Sequence, residues 1–154
     1  MDAIELLEKD PATIRTLFSD IEKTQDSQEL EENFTKLAKL LTLHARSEEL
    51  VLYPQASTCT GTEDLIEHGW KDHHKGDEMI LEIKSLAADR SEFNQKIGEL
   101  QEFMENHLIE EENELFPKVR ECLSPEQRQE LASELSCSPF KSQRLCKPVK
   151  GFRL

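Results

Sequence analysis

His44-Ala45-Arg46-Ser47-Glu48-Glu49-Leu50-Val51-Leu52-Tyr53-Pro54 returns later in the chain as His107-Leu108-Ile109-Glu110-Glu111-Glu112-Asn113-Glu114-Leu115-Phe116-Pro117. Both copies read His-x-x-x-Glu-Glu-x-x-x-aromatic-Pro without a gap. A His and a Glu four residues apart share one face of a helix, one turn from each other. Two such helices facing each other would bring two imidazoles and two carboxylates to one point. That arrangement is a metal site, and the repeat makes it two-fold symmetric.

The flanking sequence sets these residues in apolar stripes. One stripe runs Leu30, Phe34, Leu37, Leu41, His44, Glu48, Val51, and the other Phe93, Ile97, Leu100, Met104, His107, Glu111, Leu115. The spacing of three and four is that of a core-facing seam. His44, Glu48, His107 and Glu111 therefore fall among Leu and Phe, where an unpaired carboxylate is costly. A bound cation would remove that cost.

Working outward, the chain reads as helices throughout. The first helical stretch, 2–24, carries Ile4, Leu7, Ile14, Leu17, Phe18 and Ile21, with a break expected at Asp10-Pro11 because Asp caps and Pro starts helices. Ser27 is read as the cap of the second helix, which runs to about Pro54. The third spans about 63–88, with Ile66, Gly69, His73, Asp77, Ile80 and Lys84 down one side. The fourth begins after Ser91 and ends near Val119. Ser124-Pro125 opens a short fifth helix to about Leu135. The expected fold is all-α: an antiparallel up-down-up-down four-helix bundle over residues 1–135, with a short C-terminal fifth helix. Residues 136–154 are read as a flexible basic tail, in which Lys141, Arg144, Lys147, Lys150 and Arg153 are joined by no acid.

The repeat extends beyond the quoted stretches. Asp72-His73 precedes His107 as Asp10-Pro11 precedes His44, so Pro11 occupies the slot that His73 fills in the second half. The second half offers His73, His107 and Glu111 as ligands, and the first offers His44 and Glu48. Imidazole and carboxylate together suit iron, manganese or zinc rather than a soft thiolate-bound ion.

Composition bounds the function. A chain of 154 residues is one domain by length, and 33% charged residues with few glycines fit a very soluble helical protein. The net charge of −13 argues against a nucleic-acid partner, whose phosphates require a basic face. No apolar run reaches membrane-spanning length, and no signal peptide precedes the first helix. The cysteines, at 59, 122, 137 and 146, form no Cys-x-x-Cys pair, so a zinc knuckle or disulfide framework is not expected and a cytoplasmic location is the default. A regulatory disulfide between Cys137 and Cys146 has no support.

On these residues the chain resembles the hemerythrin-like, or HHE cation-binding, family. The doubled His-x-x-x-Glu motif, the third-helix His73 and the opening Leu6-Leu7-Glu8-Lys9-Asp10-Pro11-Ala12-Thr13-Ile14-Arg15-Thr16-Leu17-Phe18 carry the likeness, over roughly residues 2–120. The resemblance implies a four-helix bundle with a non-haem di-iron centre. It makes His44, His73 and His107 iron ligands, and Glu48 and Glu111 the carboxylates between two metals. It places a further His where this chain has Pro11, so the di-iron centre would be incomplete. Oxygen-carrying members also have a His one turn from the third-helix ligand, where Gly69 and Asp77 stand here. The implied function is binding of, or reaction with, a small diatomic or peroxide ligand such as dioxygen, nitric oxide or peroxide, or buffering of iron. The alternatives are a metal-responsive module that meets a protein partner through the basic tail, and a bundle that has lost its metal.

Several neighbours are weighed beside the ligands. His68 and His74 lie about 140° and 100° around the helix from His73, off its face. His74 is read as solvated, with substitution for the missing ligand as its alternative. Asp77 is read as solvated, with ligand orientation or metal binding as its alternatives. Glu49, Glu110 and Glu112 are read as surface charges, Glu49 and Glu112 with a supporting role behind the ligands as the alternative. Tyr53 and Phe116 are read as closing the bundle end, although the Tyr53 hydroxyl could donate to a bound oxygen species.

Overall fold

The helices form where the apolar stripes require them. The structure, a computed structural model, describes residues 1–86 and 90–137. Its elements are α1 (Ala3–Leu7), α2 (Lys9–Lys23), α3 (Ser27–Ser47), α4 (Tyr53–Ala56), α5 (Glu63–Lys84), α6 (Arg90–Glu110), α7 (Phe116–Cys122) and α8 (Pro125–Cys137). Wide π turns, Glu48–Leu52 and Glu111–Leu115, join α3 to α4 and α6 to α7, so each pair is one continuous rod. α2 packs on α3 and α6, and α5 packs on α6 and α3, which closes the four-helix bundle. The fifth helix of the sequence reading is α8, which covers α1 at one end.

Three local expectations are corrected. The helix breaks at Glu8 rather than at Asp10-Pro11, because a proline ring collides with the carbonyl four residues earlier, here Leu7, the last residue of α1. Asp10 is then free of capping duty. The cap of α3 is Asp26, whose carboxylate accepts the Glu29 N–H at 2.9 Å, and Ser27 is the first helical residue. α5 stops at Lys84 instead of reaching residue 88; Ile83 is buried and Lys84 exposed, reversing the end of that stripe. At α8 the reading holds: Ser124 and Gln127 cap each other reciprocally. The basic tail lies outside the described residues apart from Ser136 and Cys137, which finish α8.

The two π turns answer a problem set by the repeat. Pro54 and Pro117 cannot sit in a regular helix without striking the carbonyls of Leu50 and Asn113. The turn widens one residue earlier instead: the N–H of Tyr53 reaches the carbonyl of Glu48, and that of Phe116 the carbonyl of Glu111. In a regular helix five residues rotate through about 500°, which would leave Tyr53 about 140° round from Glu48. The wider turn shortens that rotation. Tyr53 and Phe116 therefore both point inward, 2% and 1% exposed.

The core has two apolar clusters. One, around Ile4, Leu7, Leu52, Phe116, Val119 and Leu135, fills the end closed by α1, α4, α7 and α8. The other, around Ile14, Phe18, Leu37, Ile83, Leu100 and Leu108, fills the opposite half. Residues 44–48 and 107–111 lie in sequence between the members of the two clusters, so the polar seam residues sit where the clusters meet.

The cysteine reading is corrected. Cys59 and Cys122 form a disulfide with their Cα atoms 5.8 Å apart. Their separation of 63 is also the separation of His44 from His107. They are one position of the repeat, met across its two-fold axis, and the bundle brings them together at one end. The ground for a reducing compartment is thereby removed. A link closing 63 residues should stabilise the fold by up to about 4 kcal/mol through the unfolded chain. The double variant Cys59→Ser/Cys122→Ser is expected to melt at a lower temperature than the unmodified protein, and reductant should lower only the latter. Equal melts would show that the bond contributes nothing.

Candidate metal centre

Three imidazoles are oriented by one device. The Nδ1–H of His44 donates to Asp10 Oδ2 (3.1 Å), that of His107 to Asp72 Oδ2 (3.0 Å), and that of His73 to Glu49 Oε1 (2.9 Å). A carboxylate on Nδ1 fixes the tautomer and turns the Nε2 lone pair toward the bundle axis. Asp10 and Asp72 are the same position of the repeat, on α2 and α5. Glu49 belongs to the first motif and is buried, which corrects its reading as a surface charge. Its charge is held in turn by Arg46, which also pairs with Asp77.

The inward atoms converge without satisfying one another. His44 Nε2 is 3.3 Å from Glu48 Oε1 and 3.4 Å from Glu111 Oε2. His107 Nε2 is 3.0 Å from Glu111 Oε1, and His73 Nε2 is 3.0 Å from Glu48 Oε2. His44, Glu48, His107 and Glu111 each offer one atom to a group lying within 4.8 Å of one another. Yet His44 Nε2, His107 Nε2, Glu48 Oε1 and both Glu111 oxygens are shut from solvent and have no hydrogen-bond partner. They lie together in one dry cluster without completing one another's hydrogen bonds. Each such orphan costs about 1–3 kcal/mol or more. The donor set and these orphans fit a cation of the iron, manganese or zinc type.

Without a cation the cluster holds protons. Burial lowers the His107 pKa, but Glu111 and the Asp72 hydrogen bond outweigh it and bring it to about 10. His44 is likewise opposed by burial and still raised well above the ordinary histidine value, by Glu48 and Asp10. Burial and the charge of Glu111 push the Glu48 carboxyl up. Burial also opposes ionisation of Glu111, but His107 and His44 prevail and hold it well below the usual carboxylate range. His73 goes the other way: burial, then the charge of His107, lower it to about 4. It is neutral at pH 7 and already in the state that ligates.

All five expected residues, His44, Glu48, His73, His107 and Glu111, are therefore brought together in the interior. Tyr53 does more than close the bundle end. Its ring closes the bundle as expected and stacks on His73 at 5.6 Å, but its hydroxyl lies 3.5 Å from both His73 Nε2 and Glu48 Oε2. Gly69 makes the space, since a Cβ there would overlap the hydroxyl and stand 2.9 Å from Tyr53 Cζ. Thus the slot one turn before His73 is filled by a side chain from the opposite rod. His74 is exposed and paired with Glu78, so it does not replace the missing ligand. Asp77 binds Arg46 rather than facing the centre. Glu112 pairs with Arg15, which also holds Glu105.

The repeat exposes an asymmetry. Gly69, His73 and Tyr53 surround one side of the cluster. The equivalent positions on the other side are Leu7, Pro11 and Phe116, all buried and apolar. Arg15, the equivalent of Asp77, neutralises Glu112, the equivalent of Glu49. A cleft lined by Leu41, Ala45, Gly76, Ile80 and Met104 reaches His44 and His73, with room for roughly one water molecule.

Comparison with known proteins agrees with this geometry. The model of the hemerythrin HHE cation binding domain matches residues 2–119. A protein of Nostoc sp. named as a DNA nickase is 28% identical over 94% of this chain and 41% of its own length. An uncharacterized hemerythrin-like protein of Schizosaccharomyces pombe is 32% identical over 60% of this chain and 47% of its own length. The chain thus spans less than half of either relative. The crystal structure of an HHE cation binding domain-containing protein from Mycobacterium kansasii superposes with a TM-score of 0.79 at 21% identity, covering 89% of this chain and 84% of that one. The chain belongs to the hemerythrin HHE cation-binding domain family.

Proposed function

We propose that the protein binds non-haem iron through His44, Glu48, His73, His107 and Glu111, and that the bound iron takes a small ligand such as dioxygen, peroxide or nitric oxide. The observation that carries this reading is the set of orphaned inward atoms at the bundle centre, the two histidines among them each oriented by an aspartate on Nδ1. Without a metal these atoms are paired only by protons taken up at His44, His107 and Glu48, whereas one cation pairs them all at once. Iron so held supplies open coordination positions and two accessible oxidation states. The chain's own residues do the rest. Asp10, Asp72 and Glu49 hold the imidazoles in their ligating tautomer. The Tyr53 hydroxyl, kept protonated by burial and the nearby carboxylates, stands ready to donate a hydrogen bond. Leu41, Ile80 and Met104 keep the approach apolar and admit only small molecules. Nicking of DNA belongs to the Nostoc relative; a chain of net charge −13 repels the phosphate backbone.

The asymmetry supports unequal occupancy. His73, His107 and Tyr53 serve one side, whereas Pro11 and Phe116 leave the other with His44 and the shared carboxylates. Protein purified from iron-supplemented cells is expected to hold fewer than two irons per chain. Glu48→Ala and Glu111→Ala should each lower that content, and chelation should lower the melting temperature. Asp72→Asn should weaken iron binding by roughly 10–100-fold without removing a ligand. Melts indifferent to chelation, with no iron by elemental analysis, would sink the reading.

Pro11→His restores an imidazole beside His44. It is expected to raise the iron content above that of the unmodified chain. An unmodified chain that already holds two irons tightly, unaffected by Pro11→His, would mean that another group completes the second position.

Protons and metal compete for the same atoms. In the metal-free fold His107 keeps its proton up to about pH 10, against 6.5 for an ordinary histidine. That proton stabilises the metal-free fold below about pH 6.5, and the contribution is lost as the pH rises through 10. Metal has the opposite sign: it must displace the protons of His107, His44 and Glu48. Binding at pH 7 should acidify a weakly buffered solution, and affinity should climb as the pH rises toward 10. Titration with a pH indicator reads both; binding without proton release would contradict the protonated cluster.

A further inference from the structure

A second group of ligating side chains lies outside the buried centre. On α5, His68 and Asp72 repeat the His-x-x-x-carboxylate spacing, and Glu110 faces them from the end of α6. Each offers one ligand atom within 4.8 Å of the other two. His68 Nδ1 is 2.6 Å from Glu110 Oε2, and His68 Nε2 is 3.5 Å from Asp72 Oδ1. Asp72 Oδ2 is the acceptor of His107 Nδ1 at 3.0 Å, so one carboxylate touches both groups. We propose that His68, Asp72 and Glu110 form an outer, exchangeable site for a borderline divalent metal ion, joined to the buried centre through Asp72.

The chemistry fits that class of ion. One imidazole and two carboxylates suit Fe²⁺, Zn²⁺ or Mn²⁺, and three protein ligands leave positions for water. His68 is 54% exposed at its side chain, against 12% for Asp72, so the site opens to solvent on one side and is anchored on the other. Among the described residues the ion pairs of Asp72 and Glu110 are all with histidines, and the nearby Lys71 amine is taken up by Glu67. Among the described residues no lysine or arginine pairs with either carboxylate. The other half of the repeat shows what an unelaborated position looks like: Leu6, Asp10 and Ser47 stand at the equivalent places, and among the described residues Asp10 pairs with His44 only. The second half adds His68 and Glu110 to the same aspartate. A cation on Asp72 Oδ1 draws electron density from Oδ2 and weakens its hold on the His107 N–H. The outer ion thereby lowers the donor strength of one buried ligand.

The site does not depend on the buried centre being filled with iron. Zinc alone is the probe. Chelator-stripped protein is titrated with Zn²⁺ by calorimetry and equilibrium dialysis, alongside His68→Ala, Glu110→Gln and the buried-centre variant His44→Ala/Glu48→Ala. The unmodified chain should bind one more zinc than His68→Ala or Glu110→Gln, or bind it at least roughly tenfold more tightly. His44→Ala/Glu48→Ala should keep that zinc while losing binding at the interior. If the interior takes no metal in any form, the outer zinc should still vanish on His68→Ala, which separates this proposal from the function proposed above. Retention of the outer zinc, at unchanged affinity, in either His68→Ala or Glu110→Gln overturns it and leaves His68 as an ion pair between two carboxylates.

Discussion

Two carboxylates and three imidazoles packed at the meeting point of two apolar clusters are the constraint on which the rest of the bundle depends. Charge in such a place is costly unless it is paired in every direction. On the outer side the pairing is complete: Asp10, Asp72 and Glu49 take the Nδ1 protons. On the inner side it is incomplete, and the unpartnered Nε2 and Oε atoms lie in one cluster. A helix seam that could have continued in leucine keeps polar residues only because something cationic meets them there. In the metal-free protein that role falls to protons shared among His44, Glu48 and His107.

The support extends further than the ligands. Glu49 can sit buried beside His73 because Arg46 balances it, and Arg46 is fixed in turn by Asp77. Three residues that look like surface charges in the sequence thus form one chain ending on a ligand. The π turns serve the same centre. They let Pro54 and Pro117 into continuous rods, and in doing so rotate Tyr53 and Phe116 onto the ligand face. A regular helix ended by proline would have left both rings elsewhere.

Two-fold symmetry organises the fold, and departures from it organise the chemistry. The repeat pairs Cys59 with Cys122 across the axis, and pairs Asp10 with Asp72 behind their histidines. It is then broken in one direction. Gly69, His73 and Tyr53 make one flank polar and roomy, while Leu7, Pro11 and Phe116 make the other apolar and filled. His68 and Glu110 extend the polar flank to the surface. Such one-sidedness makes the two halves of one cluster chemically unequal, and a small cleft lies beside His44 and His73 on the polar side.

The sequence by itself determined the all-helical bundle, the seam and the five inward residues. Each of these rests on periodicity within a helix or on comparison of two copies, and both are visible along one chain. Tertiary structure alone decided who stands behind each ligand. Glu49 and His73 are 24 residues apart, and Arg15 and Glu112 are 97 apart. No local pattern says which rod faces which at those separations. The disulfide belongs with them, although the shared offset of 63 was a legible hint: residues equivalent in a two-fold repeat meet when they lie near its axis. The break at Glu8 and the turn that aims Tyr53 were also decided in three dimensions. Proline acts on the carbonyl four residues before it, and the chain relieves that collision at the point where packing, not propensity, leaves room.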